Sequence, residues 1–204
     1  MLQFGWGSKN NLGEIINKVK RTVSVLGALA LLGTFVSASP AANADVFGPN
    51  PPEAGWFADN NLHTWCEGHV NYVPSWFDPM QDAMDYLDAQ TDLTTGTPHP
   101  CDSSIDIWYD VYDSKILGSD IRGRTFCRVA VTASGVCGSF AVQLNSDLLN
   151  TYMSRRKTAC HEVGHSVGLS HSSYLTSTSD CMISGDYTFT FLNTHHVDHI
   201  NSRY

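Results

Sequence analysis

The sequence of 204 residues has few basic side chains, since 12 Lys and Arg stand against 20 Asp and Glu, which gives a formal charge of −8. Nucleic-acid-binding proteins need clustered Lys and Arg, so this class is excluded and no nucleic acid is expected as a partner. The chain also lacks an internal repeat and a glycine-rich phosphate-binding loop. Charged residues are 16% and hydrophobic residues 42%, the composition of a folded protein rather than a disordered one.

The N-terminal segment has no hydrophobic run long enough for a comfortable membrane span, which needs about 20 apolar residues. Residues 23–36 are apolar almost throughout and follow a short basic stretch at 18–21. The small-x-small pattern at 42–44 then supplies a cleavage site. We therefore interpret residues 1–44 as a secretory signal peptide, with a membrane anchor as the alternative. We expect a secreted protein that has no stable association with membranes after signal cleavage.

All six cysteines follow this segment, at Cys66, Cys101, Cys127, Cys137, Cys160 and Cys181. An even number of cysteines in an exported chain indicates three disulfides. Six cysteines allow fifteen pairings, and the sequence alone does not choose among them. Proximity along the chain favours Cys127 with Cys137, which flank a predicted hairpin turn. It then favours Cys66 with Cys101, and Cys160 with Cys181.

Hydrophobic periodicity after the signal peptide predicts an α+β fold, a small sheet with two main helices. Residues 45–64 are rich in Pro, Gly and Asn, and we interpret them as an irregular N-terminal arm or a short propeptide. A single folded domain follows at 65–204. Its predicted helices are at 79–90, from about 148 to a stop near Gly168, and at 194–202. Its predicted strands are at 105–111, 125–133 and 139–144, with a turn at 133–135.

A run that begins at His161 reads His-Glu-Val-Gly-His-Ser-Val-Gly-Leu-Ser-His. Residues four apart share one face of a helix, so His161 and His165 can present two imidazoles to one metal ion. Gly168 tolerates the left-handed backbone that ends a helix, so the chain can turn back and bring His171 in as a third ligand. Glu162 lies about 100° round the helix and can reach a water on the metal without being a ligand. Three imidazoles with an open fourth position are typical of a catalytic zinc site.

This run resembles the long zinc signature of the metzincin metallopeptidases, especially matrixins and small secreted bacterial members. The resemblance implies a metzincin-like zincin fold, with a twisted mixed sheet, an active-site helix and a small C-terminal subdomain. It implies that 65–204 is the catalytic domain, with one catalytic Zn²⁺ held by the three histidines. It also implies that Glu162 is the general base and that Met182 lies beneath the metal.

The same resemblance implies two features of substrate binding. An edge strand, placed at about 126–133 by the order of elements, would pair with the extended substrate. The pocket beside the cleaved bond would be walled by residues 183–191, and the aromatic residues there indicate an apolar or aromatic subsite.

The sequence therefore predicts a monomeric, secreted zinc endopeptidase that acts on protein or peptide substrates. One alternative is a zinc amidohydrolase that cleaves a non-protein amide, for instance in a cell wall. Another is a non-catalytic binding protein or effector on a metzincin scaffold, although a binding protein would not need the base Glu162. The remaining alternative for the motif is a solvated helix face with three coincidental histidines.

Two other polar clusters are open to more than one interpretation. His195, His196 and His199 fit the polar face of a terminal helix, with a second metal site as the alternative. Five aspartates, Asp102, Asp106, Asp110, Asp113 and Asp120, fit a solvated sheet face. Their alternative is a Ca²⁺ site, but their spacing matches no calcium-binding loop. His63, His69 and His99 are expected in loops or at the surface.

Overall fold

Most of the chain beyond residue 55 is described by the structure, a computed structural model that covers residues 56–69, 74–131, 135–171 and 179–204. These residues belong to the unit that spans Pro40–Tyr204. The predicted signal peptide, most of the predicted arm and much of the predicted turn at 133–135 lie outside the described residues. Among the helices that are described, none combines the length and the apolar character needed to cross a membrane.

A mixed sheet forms the centre of this unit. Its strands are β1 (Phe57–Ala58), β2 (Trp65–Glu67), β3 (Ile107–Tyr112), β4 (Gly123–Ala130) and β5 (Val136–Asn145). β2, β3 and β5 lie side by side in parallel, and β1 pairs in parallel with the first residues of β5. β4 pairs with β5 in the antiparallel direction. The strands predicted at 105–111, 125–133 and 139–144 are present with shifted ends, because pairing between distant segments sets where each strand stops.

β4 is an edge strand, since within the described residues it pairs only with β5. Its side chains are half-buried or exposed, whereas those of β5 are buried almost throughout. This contrast is expected when one strand has neighbours on both sides and the other on one side. The edge strand expected at about 126–133 is therefore found at Gly123–Ala130.

Four helices are described: α1 (Pro74–Gln90), α2 (Ser114–Leu117), α3 (Tyr152–Ser166) and α4 (Thr194–Arg203). Helices with a mixed sheet agree with the predicted α+β class. α3 starts later than predicted, because Thr151 caps it: the Thr151 hydroxyl accepts from Ser154 N, and the Ser154 hydroxyl accepts from Thr151 N. This reciprocal pair satisfies two donors that a helix start leaves without partners.

The predicted start of the first helix at residue 79 is wrong, because α1 begins at Pro74 and contains Pro79. A proline inside a helix lacks the N–H that would bond to the carbonyl four residues earlier, here that of Ser75. Arg155 of α3 supplies the missing donor, and its Nη1 donates to Ser75 O at 2.9 Å. The helix continues through Pro79 because a neighbouring helix replaces the lost hydrogen bond.

The hydrophobic core joins the sheet to α1 and α3 in one cluster. α1 contributes the four residues predicted from helical spacing, each at most 2% exposed: Met80, Ala83, Met84 and Leu87. Tyr109 of β3, Phe140 of β5 and Val163 of α3 are buried in the same cluster. α3 is therefore held between the sheet and α1, which fixes the helix that carries the histidine motif.

Three disulfides cross-link the domain, and the described residues contain no free cysteine. They join Cys66 to Cys101, Cys127 to Cys137 and Cys160 to Cys181. This is the pairing that proximity along the sequence favoured. The first links β2 to the segment before β3, the second closes the β4–β5 hairpin, and the third ties α3 to the segment that precedes α4.

The predicted arm at 45–64 needs a correction at its C-terminal end. Residues 57–58 pair with 136–137 as β1, so they are part of the sheet. His63, expected in a loop or at the surface, lies in the loop before β2 but is fully buried, and its Nε2 lies 2.9 Å from Ser166 Oγ. A two-residue strand is too short to leave a periodic pattern, so the folded domain begins earlier than the sequence indicated.

Candidate metal centre

α3 places two of the three predicted ligands on one face. His161 and His165 lie one turn apart in its C-terminal half, and their ring centroids are 4.8 Å apart. The helix ends immediately afterwards, since Val167 is its C-cap residue and Gly168 has a φ of 97°. This left-handed backbone is the conformation for which glycine was predicted at this position.

The turn at Gly168 returns the chain to the helix and brings in His171. The His171 ring centroid lies 4.9 Å from that of His161 and 4.8 Å from that of His165. One nitrogen from each of the three imidazoles lies within 4.8 Å of the others, so the cluster can hold a metal ion. The three residues that the motif predicted as ligands are therefore brought together.

Backbone carbonyls fix which nitrogen of each helical imidazole carries the proton. His161 Nδ1 lies 2.7 Å from Cys181 O, and His165 Nδ1 lies 2.8 Å from Leu169 O. A carbonyl oxygen only accepts, so both Nδ1 atoms must donate, and in the neutral rings both Nε2 atoms carry lone pairs. These two Nε2 atoms lie 3.2 Å apart. Two lone pairs at this distance repel unless a cation lies between them.

The spacing of the two helical imidazole nitrogens is compatible with zinc. Two imidazole nitrogens at about 2.0–2.1 Å from a tetrahedral zinc are about 3.3 Å apart, close to the observed separation of the two Nε2 atoms. Burial lowers the pKa of His165 to about 4 and that of His161 well below its usual value, so both rings stay in the neutral form that binds metals. Imidazoles also suit copper, iron and nickel, so the site itself defines a metal position without naming the metal.

Glu162 is buried beside this cluster, with 4% of its surface exposed. The Thr125 hydroxyl of β4 lies 3.0 Å from Glu162 Oε2 and 2.7 Å from its backbone carbonyl oxygen. Burial raises the pKa of Glu162 to about 7, while the Thr125 hydrogen bond and the charge of Lys157 act in the opposite direction. The carboxylate is thus held in one orientation next to the metal position.

β4 approaches this carboxylate closely because it begins with a glycine. A Cβ at Gly123 would lie 2.7 Å from Glu162 Oε1 and 2.8 Å from a Thr158 methyl group. Neither Gly123 nor Thr125 was singled out from the sequence, since both are ordinary strand residues there. Only the register that pairs β4 with β5 brings them to Glu162.

Met182, which the resemblance placed beneath the metal, packs against α3 at the histidine motif. It is fully buried, and a Cβ at Gly164 would clash with its Sδ. Gly164 stands between the two helical histidines, so the missing side chain lets the methionine pack directly against the backbone of α3. The methionine therefore supports the turn of helix that carries the ligands.

The segment around Met182 is itself fixed by a fully buried carboxylate that the sequence did not reveal. Asp180 Oδ1 accepts from Met182 N at 2.5 Å, and its Oδ2 lies 2.5 Å from His196 Nδ1 on α4. Between them, Cys181 bonds to Cys160 and offers its carbonyl to His161. The disulfide and the carboxylate together hold the carbonyl that sets the tautomer of this ligand.

The two other clusters have structural partners. His196 is 1% exposed and bound to Asp180. Among the five aspartates, Asp106 accepts from Thr64, Asp110 accepts from His69 N, and Asp113 caps α2. Within the described ranges, the group of three side chains that could hold a metal ion is the one on α3 and its turn. The second metal site and the Ca²⁺ site therefore have no ligand cluster in these ranges.

A cavity of about 350 Å³ opens beside the metal position. It is lined by His161 and Glu162, and also by Lys157 of α3, Arg122 and Gly123 at the start of β4, and Ser184 after Met182. The cavity is therefore bounded by one of the three clustered histidines and by the Glu162 carboxylate. In comparisons with known proteins, this chain matches no protein-family model and no curated protein sequence.

Proposed function

We propose that this protein is an exported zinc endopeptidase of the metzincin type. One observation carries the proposal: three imidazoles converge, two of them with lone pairs that backbone carbonyls direct inward, next to a buried carboxylate. Such a donor set leaves a coordination position for water or substrate, as in catalytic rather than structural zinc sites. The cavity beside it gives a substrate room to enter.

Zinc bound here would supply a Lewis acid that polarises a carbonyl and lowers the pKa of water. His161, His165 and His171 would hold the ion. Glu162 takes the proton from the attacking water and later gives it to the leaving amine. Thr125 orients the Glu162 carboxylate by its hydrogen bond to Oε2. Nothing in this division of roles requires an organic cofactor.

The edge strand β4 supports peptides as substrates. Within the described residues its outer edge pairs with no strand, and Thr125 places it against the carboxylate of α3. An extended peptide can pair with the free backbone groups of such an edge, which positions a peptide bond over the site. The three disulfides and the predicted signal peptide support an exported protein.

The test measures zinc content and casein cleavage for the whole chain, expressed in a disulfide-forming host and purified as the host processes it. Removal of zinc by a chelator should abolish cleavage, and added zinc should restore it. Glu162→Gln should keep its zinc but lose about 10²–10⁴-fold in rate, the usual weight of a general base. Glu67→Gln is the matched control, since Glu67 lies on β2, and it should retain activity.

Other outcomes would decide against this proposal. Cleavage that persists after complete removal of the metal would exclude a metallopeptidase. A zinc-bound protein that ignores casein and peptides but cleaves cell-wall fragments would be the amidohydrolase. Inactivity on both substrates with zinc bound would favour the non-catalytic scaffold.

A further inference from the structure

The cavity beside the metal position differs from the subsite that the sequence suggested. Of the segment 183–191, Ser184 and Gly185 line it, and the aromatic residues do not. Instead, Tyr187 stacks on Phe189 with ring centroids 6.0 Å apart, and Phe189 contacts Phe191. The wall that faces Glu162 contains charged side chains, so the cavity is not an aromatic pocket.

Lys157 supplies the most deeply buried charge in this wall. It lies one turn before His161 on α3, is 5% exposed, and donates from Nζ to Ile183 O at 2.8 Å. Burial lowers the pKa of Lys157 to about 8, while the charge of Glu162 opposes this change. The ammonium form therefore still predominates at neutral pH.

This ammonium group has no carboxylate partner in the described part of the chain. The ion pairs there join Arg122 to Asp186, Arg156 to Asp82 and His196 to Asp180. The Glu162, Asp180 and Asp186 carboxylates raise the pKa of Lys157 from a distance, but none of them forms a direct ion pair with it. A buried charge without a direct ion pair costs free energy, and a carboxylate brought into contact with it recovers part of that cost. One hydrogen bond to Ile183 leaves two N–H groups of the ammonium for a ligand.

Arg122 adds a second cation nearer the mouth of the cavity. Its guanidinium pairs with Asp186 at 3.1 Å, and the Asp186 side chain is 75% exposed. Exposed pairs of this kind contribute little and exchange readily. Asp120 also lines the cavity, but it is exposed, so water screens its charge far more than that of Lys157.

We propose that this cavity binds an aspartate or glutamate side chain of the substrate, next to the cleaved bond, with its carboxylate on the Lys157 ammonium. The inference rests on the proposed peptidase function and adds a substrate class to it. Because the cavity is continuous with Glu162 and His161, a peptide whose carbonyl lies at the metal places a neighbouring side chain there. A hydrogen bond to a charged group predicts about a 10- to 100-fold preference for Glu over Gln in kcat/KM.

The first measurement digests a mixture of unstructured peptides with the zinc-loaded protein and locates the cleaved bonds by mass spectrometry. Acidic residues should be enriched at one position beside the cleaved bond. Two fluorogenic peptides that differ only by Glu or Gln at that position then give the ratio of kcat/KM. Equal cleavage of the two peptides would overturn the inference and leave the proposed peptidase function intact.

The second measurement assigns the preference to Lys157. Lys157→Met keeps an unbranched side chain of similar length and removes the charge, so the Glu/Gln ratio should fall to about one. Lys157→Arg should keep a ratio above one, and the exposed Lys115→Met is the control that should match the parent protein. Zinc content and thermal melting establish that each variant is folded. An acidic preference that survives in Lys157→Met would overturn the role of Lys157.

The two failures are distinguishable. Metal-dependent cleavage without a charge preference removes only the specificity inference. Absence of metal-dependent cleavage of every peptide removes the peptidase proposal, and the specificity inference falls with it. Should Lys157→Met fail to fold, the Glu/Gln ratio of the parent protein still decides whether the cavity selects an acidic side chain.

Discussion

Two histidine clusters in this protein share the same helical spacing but differ in what lies behind the rings. On α3, His161 and His165 each direct Nδ1 to a backbone carbonyl, and their Nε2 atoms converge at 3.2 Å. On α4, His195 and His199 also lie four residues apart, with ring centroids 4.1 Å from each other. Their neighbour His196 is bound to the Asp180 carboxylate.

The difference shows that spacing alone does not make a metal site. A helix brings two rings together at either place, but backbone acceptors must direct the second nitrogens inward as lone pairs. A third donor must also reach the same point, and on α3 the turn at Gly168 supplies it with His171. In the described residues around α4, no third donor completes the cluster. The four-residue repeat is therefore a weaker indicator than the complete motif with its glycine.

The largest predicted effect is on zinc affinity, and it is tested by comparing a variant of the α3 cluster with the equivalent variant of the α4 pair. His165→Ala should weaken zinc binding by more than about 100-fold, beyond what loss of an outer-shell partner usually costs. His199→Ala removes the equivalent residue of the α4 pair and should leave zinc affinity within a few fold of the parent protein. Competition with a zinc-binding dye measures both affinities. Comparable losses in the two variants would place the metal on α4 as well, contrary to this comparison.

The second prediction concerns the disulfide that supports the first cluster. Replacing Cys160 and Cys181 with Ala should cost about 3 kcal/mol of stability in the chain-entropy model and should also weaken zinc binding. The disulfide between Cys127 and Cys137 closes a loop of 10 residues, whereas that between Cys160 and Cys181 closes one of 21. Because the stabilisation depends only on the logarithm of loop length, losing either disulfide should cost a similar amount of stability. Its removal should leave zinc affinity largely intact, because it closes the β4–β5 hairpin and touches no ligand.

Urea unfolding and dye competition on the two double variants separate these effects. Similar losses of stability with unequal losses of zinc affinity are the expected result. Equal losses of zinc affinity would mean that the Cys160–Cys181 bond only stabilises the fold and does not position His161.

The third prediction tests the carboxylate that links the two clusters. In Asp180→Asn the side chain keeps one acceptor oxygen, so it cannot accept from both Met182 N and His196 Nδ1. The carbonyl of Cys181 should then orient His161 less well, and zinc affinity should fall by about 10-fold or more. Asp106→Asn is the control, because Asp106 also accepts two hydrogen bonds, from Thr64, but lies away from the site. An unchanged zinc affinity in Asp180→Asn would show that the segment around Met182 is held without this residue.

The cluster of three histidines could be predicted from the sequence because its geometry depends on local structure. Helical periodicity and one glycine are sufficient to place three histidines. The surroundings of Glu162 could not be predicted, since Thr125 lies 37 residues away and reaches it only through the register of β4 on β5. Asp180 and Lys157 also stand out only when burial and partners are known.

The errors in the fold have the same origin. The Asp78-Pro79 pair is typical of a helix start, and a donor from Arg155, distant in sequence, allows the helix to pass through the proline. His63 has the polarity of a surface residue, and contact with Ser166 on α3 buries it. In both places a long-range hydrogen bond overrides a sound local preference.

The last prediction extends the comparison to His63, a buried histidine outside both clusters. The Ser166 hydroxyl donates to Val163 O at 2.6 Å, so it must accept from His63 Nε2. His63 Nδ1 then carries a lone pair, and it is buried without a hydrogen-bond partner among the described residues. Burial lowers the pKa of His63 from 6.5 to about 4. As the pH falls, His63 therefore becomes protonated in the unfolded chain at a higher pH than in the folded protein.

Folding stability should accordingly be unaffected by His63 above about pH 6.5 and should decrease towards pH 4. Between pH 7.5 and 5.5 this amounts to about 1 kcal/mol, the linkage expected for one group with these two pKa values. His63→Gln can still donate to Ser166 but does not titrate, so it should be less sensitive to this change in pH. Urea unfolding of the parent protein and of His63→Gln, at both pH values and with excess zinc, measures the change in stability with pH. The other histidines titrate alike in the two proteins, so the difference between the two changes reports on His63. If both proteins lose the same stability, the proton on His63 has a partner in the folded state, and the ring is not held neutral by burial.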